Sequence, residues 1–91
     1  MQETLTPSAA GFLAVVHAHG LVTLPFALPG VTRNHAVMVS LTELHPDGQP
    51  FIGEAVMKVC NVAAHDGGWA EVRAEISWDS DLPVRASFLV S

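Results

Sequence analysis

A chain of 91 residues makes one domain, and a domain this small buries only about 60–65% of the surface its unfolded chain exposes. Nearly half of the residues are hydrophobic, more than so small a core can hide, and the surplus is expected to be covered by further copies of the chain. Its four basic residues, Arg33, Lys58, Arg73 and Arg85, are scattered against nine carboxylates, which argues against a nucleic-acid partner, because phosphate backbones are held by clustered Lys and Arg. The single cysteine, Cys60, has no partner for an intrachain disulfide and is expected to be a small buried apolar side chain.

Residues 1–10 show no periodicity and read as an N-terminal arm before a domain over 11–91. Met1-Gln2-Glu3 lacks the basic start of a signal peptide, and the apolar run Ala9–Val16 is too short to span a bilayer. The chain is therefore expected to be made in the cytoplasm and not to insert into a membrane. From Gly11 a first strand carries Phe12, Ala14, Val16 and Ala18 on one face and Leu13, Val15, His17 and His19 on the other, until Gly20 ends it. A second strand over Leu21–Ala27 contains Pro25, which lacks a ladder donor and marks an edge or a bend. A third, Ala36–Leu44, is apolar on both faces and reads as nearly all buried.

His45-Pro46-Asp47-Gly48-Gln49-Pro50 is a strong turn signal that predicts a hairpin. The fourth strand is expected from Ile52 to about Val62, with Val56, Cys60 and Val62 on the face of Glu54 and Lys58. Asp66-Gly67-Gly68 predicts a second hairpin turn. The strand that follows has the clearest pattern in the chain: Ala70, Val72, Ala74, Ile76 and Trp78 alternate with Trp69, Glu71, Arg73, Glu75 and Ser77. That period of two marks a strand with one buried and one solvated face. It places Trp78 on the core side and Trp69 on the polar side. The turn Asp79-Ser80-Asp81 and a last strand, Val84–Val90, complete the chain. Six strands without a capped helical segment predict an all-β protein, a six-stranded antiparallel β-sandwich or a small barrel.

Three segments resemble the H-type lectins, the small β-sandwich family of snail agglutinins and discoidin C-terminal domains. Ala36-Val37-Met38-Val39-Ser40-Leu41-Thr42-Glu43-Leu44 resembles the family's apolar strand, the stretch from Asn61-Val62 through Gly68-Trp69 to Ser77-Trp78 resembles the segment ending in a Thr-Trp pair, and Val84–Val90 resembles the closing strand. The resemblance spans roughly residues 22–91. It implies a six-stranded sandwich, a homotrimer or larger homo-oligomer such as a hexamer, and a carbohydrate ligand held between subunits. Trp78 and Asp79 then stand where the family has a sugar-contacting Trp and its polar neighbour, and Glu54 about where it has an Arg. A carboxylate there reverses the charge and removes a bidentate donor.

Sugar recognition needs an aromatic plate and a few polar groups for hydroxyls, and Trp78 with Asp79 and Asp81 supplies both within one turn. The ligand-binding candidates are thus Trp78, Asp79, Asp81 and Glu54. His17 and His19, about 6.5–7 Å apart along a strand, are the candidate metal ligands, as in the His-x-His tips of some phage fibres, although two imidazoles do not complete a site. The two carboxylates of the acidic turn fall short of the roughly six to eight oxygens that calcium takes. No catalytic or nucleotide-binding motif is present, and no organic cofactor is expected. The sequence therefore supports a non-enzymatic, multivalent carbohydrate-binding module. The alternative is a structural trimeric assembly protein, such as a phage decoration, fibre-tip or baseplate component, acting at a virion or cell surface, with the doubly apolar first strand as its evidence.

Overall fold

The computed structural model describes residues 10–91, so the expected arm lies, but for Ala10, outside the described residues. The fold is all-β: β1 (Ala10–Ala18), β2 (Gly20–Ala27), β3 (Val37–Leu44), β4 (Pro50–Phe51), β5 (Val56–His65), β6 (Trp69–Ser77) and β7 (Leu82–Val90). They form two antiparallel sheets. Sheet A has the order β1-β7-β3-β4 and sheet B the order β2-β6-β5. No helix among the described residues is long and apolar enough to cross a membrane.

The chain passes from sheet A to sheet B at Ala18-His19-Gly20, and the step is tight because Gly20 takes φ +73°, which costs glycine little. The return runs through 28–36, pinned from below. Leu28 N donates to Gly68 O at 2.8 Å and Gly68 N to Val31 O at 3.0 Å, so Leu28 and Val31 are buried. Arg33 N also donates to Asp66 Oδ1 at 2.9 Å.

The core lies between the sheets. Ala70, Val72, Ala74 and Ile76 of β6 face Val84, Ala86, Phe88 and Val90 of β7, all buried, and the rings of Phe26 and Phe88 meet at 4.9 Å. The alternation expected for β6 is present from Trp69 to Ser77. Pro25 stands on β2, an edge strand, and the two predicted turns close the hairpins β3–β4 and β5–β6.

Four expectations are corrected. Among the described residues the strands number seven, not six, because the predicted fourth strand divides: Pro50–Phe51 pairs with Glu43–Leu44, and the ladder to β6 begins only at Val56. Cys60 is exposed rather than buried. A β-bulge shifts the register between Val59 and Asn61, so Val56, Lys58 and Cys60 face out whereas Val62 and Ala64 pack on the core; one extra residue reverses the in-out parity of all that follow. β3 is not nearly all buried, since Met38 and Ser40 are exposed. Trp78 does not cap the core, because β6 stops at Ser77 and Trp78 N donates to Ile76 O at 2.8 Å. That tight turn rotates the indole out of the alternation, leaving Trp78 41% exposed.

Candidate functional site

Two surfaces collect the residues of interest. The first is the end of the sandwich where β1 passes to β2 and β6 passes to β7. Trp78, Asp79 and Asp81 are all exposed there. Glu54 is exposed two residues before β5, and because Val56 pairs with Ser77, the segments carrying Glu54 and Asp79 leave sheet B at the same end. His19 Nδ1 meets Asp81 Oδ1 at 2.5 Å, so a metal candidate and a ligand candidate are partners. Both side chains are about half exposed, and a pair this wet contributes little to stability.

His17 is placed differently. It pairs across β1 and β7 with Pro83 and lines a hollow with Val15, Leu44 and His45, while the His45 ring stacks on Phe51 at 3.8 Å. Among the described residues no three His, Cys, Asp or Glu gather to hold a metal ion.

The second surface is the outer face of sheet A, and sequence reasoning did not single it out. In-register rows run across β1, β7 and β3: Gly11 with Leu89 and Met38, Leu13 with Ser87 and Ser40, Val15 with Arg85 and Thr42. Leu13 is 70% exposed, Met38 59%, Val15 58% and Leu89 51%. Gly11, Ser40 and Ser87 are small, so the larger side chains stand around a shallow groove of about 590 Å³. Arg85 is the one cation among the described residues of this face, and its Nε is buried without a hydrogen-bond partner. An orphaned donor on an apolar face is costly unless something supplies an acceptor.

The outer face of sheet B is more polar, although Leu21 and Val56 are exposed there. Lys58 lies 3.7 Å from Glu75 and His65 lies 3.5 Å from Glu71; Arg73 Nε donates to Thr23 Oγ1 at 3.2 Å. The indole of Trp69 stacks on the His65 ring at 4.0 Å, so the Trp expected on the polar face is there, half-buried. This is a solvated face of cross-strand polar pairs.

The apolar outer rows of β1 and β3 were visible in the sequence as strands apolar on both faces. Which of those faces stays uncovered depends on the sheet order, and no local pattern encodes that. No family model, curated protein or solved structure matches the chain.

Proposed function

We propose that this domain is a non-enzymatic structural assembly module that works as a homo-oligomer, associating through sheet A while sheet B faces water. The observation that carries this is the asymmetry of the sandwich. Leu13, Val15, Met38 and Leu89 stand exposed together on one outer face, whereas the other is laced with Lys58–Glu75, His65–Glu71 and Arg73–Thr23 pairs. Contiguous apolar surface on a small protein marks an interaction site. The test is the mass of the protein in solution by light scattering over the micromolar to millimolar range. More than one copy is expected, and a monomer throughout refutes the proposal.

A second function, carbohydrate binding of the H-type lectin kind, is favoured by one observation: Trp78 is exposed beside Asp79 and Asp81, with Glu54 at the same end. An indole face against sugar C–H groups with carboxylates for hydroxyls is the chemistry such a site uses. Calorimetric titration with N-acetylgalactosamine and a glycan array decide it. Heat that disappears in Trp78→Ala supports binding there, and the absence of any bound glycan removes it.

A further inference from the structure

Sheet edges are normally guarded against pairing with other chains by proline, lysine, bulges, short length or cover, and the edges of this sandwich differ sharply in that respect. β2 carries Pro25 at its centre. β5 carries Lys58 and the bulge at Cys60. β4 is two residues long and begins with Pro50. β3, covered by β4 only at Glu43 and Leu44, approaches β5, which closes that side of the sandwich. Among the described residues β1 has none of these devices: it pairs only with β7, runs nine residues, and contains no Lys, Pro, Asp, Glu or bulge.

The side chains along β1 point the same way. Phe12, Ala14 and Val16 face the core yet are only partly buried, as are Val22 and Leu24 on β2, the edge of the other sheet. Val37, Val39 and Leu41 of β3 are partly buried as well, so the two sides differ not in burial but in approach: β3 lies close to β5, whereas β1 and β2 do not come comparably close among the described residues. On the outer face Leu13 and Val15 are exposed.

We infer that β1 pairs antiparallel with β1 of a second copy about a two-fold axis, joining the two A sheets into one. This rests on the assembly function proposed above and adds to it a second contact, along the strand edge beside the apolar outer face. The register follows from the pleat. Side chains directly opposite in an antiparallel pair share a face, so the axis passes through a residue and not between two. Centring it on Ala14 uses the whole strand and sets Leu13 against Val15 and Phe12 against Val16 of the other copy, apolar on apolar in every case. Nothing on β1 is charged enough to oppose this except His17, which falls against Gly11. At the usual strand rise β1 spans about 30 Å, and if the whole 22 Å thickness of the molecule met its copy the edge would present at most about 650 Å² per copy, about 1,300 Å² for the pair, so the contact stands no higher than the lower bound of specific interfaces. The pair is thus expected to form and dissociate with concentration.

The test uses exposed positions, so the fold survives, as circular dichroism verifies. Leu13→Lys with Val15→Lys places like charges directly opposite each other in two pairs and is expected to weaken the pair by about tenfold or more. Leu13→Lys with Val15→Glu places lysine of one copy against glutamate of the other and is expected to restore it. Met38→Lys with Leu89→Lys, on the same outer face but off the edge, leaves at least the two-copy mass. The inference is overturned if the lysine–glutamate variant is as dissociated as the double lysine. It is overturned equally if the Met38 and Leu89 substitutions give monomer, or if the wild-type mass is three copies, since a two-fold pairing builds even numbers. In these last cases the assembly function stands; a wild-type monomer at all concentrations removes both.

Discussion

Phe88 and Leu89 are neighbours on β7 with opposite tasks, and substituting each in turn measures the two faces of sheet A separately. Phe88 is 1% exposed, lies between Phe12 of β1 and Val39 of β3, and packs its ring on Phe26. Removing that ring in Phe88→Ala loses its transfer energy and opens a cavity in the central strand, a cost of about 3–5 kcal/mol. A domain of this length is stable by about 5–13 kcal/mol in all, so the variant stands close to unfolding. Phe88→Leu keeps most of the volume and is expected to cost about 1–2 kcal/mol. Leu89→Ala removes a side chain that already faces water and should change monomer unfolding by no more than about 0.5 kcal/mol. Urea denaturation followed by tryptophan fluorescence gives these values, at dilutions where the midpoint no longer depends on concentration, because association would otherwise add to apparent stability. If Leu89→Ala costs the monomer more than Phe88→Leu does, the faces of β7 are reversed and the apolar outer surface does not exist.

Cys60, exposed at the bulge, is expected to react with a thiol reagent in the native protein at nearly the rate of the unfolded chain; protection of more than about tenfold would place it indoors. Gly68 holds φ +81° with the backbone of Leu28, Pro29 and Gly30 about 3.4–3.5 Å from where a Cβ would sit, so Gly68→Ala should cost about 1–3 kcal/mol. Gly20→Ala, at φ +73° with open space around it, should cost about as much, because the neighbours of Gly68 stand at ordinary van der Waals distances and the backbone angle carries the loss in both, and a clear inequality in a thermal melt would refute this. Asp81→Ala removes the contact with His19 at the half-exposed end of the sandwich, and a stability change above about 1 kcal/mol would show that the pair is more than a surface contact.

The parts of the fold that could be read from the sequence are those whose cause is local. The alternation from Trp69 to Ser77 gave the face of every residue of β6, Pro25 marked an edge, and the Pro-Asp-Gly and Asp-Gly-Gly segments marked two hairpins. Where the pattern misled, a single backbone event intervened. The turn at Ile76–Trp78 takes the indole out of the period it seemed to continue, and the bulge at Cys60 inverts the faces of β5 halfway along. Of the candidate ligands, Trp78, Asp79 and Asp81 lie together because one local turn carries them, whereas Glu54 reaches the same end only through the pairing of Val56 with Ser77. The exposed face of sheet A was hidden for another reason. A strand apolar on both sides looks the same whether its second face meets a core or water, and only the order β1-β7-β3-β4, set by pairings far apart in the chain, distinguishes the two.

That order also governs how the protein comes to be folded. β7, made after the other six described strands, is inserted between β1 and β3, and Ala10 finds its partner only when Val90 is present. Sheet A is therefore assembled from contacts of very long sequence separation, which makes closure slow. Until β7 arrives β1 offers two open edges instead of one, with no charge along either. A nascent or refolding chain is expected to lose yield to aggregation in proportion to its concentration, so dilute refolding, or a partner that occupies β1 early, decides how much native protein is recovered.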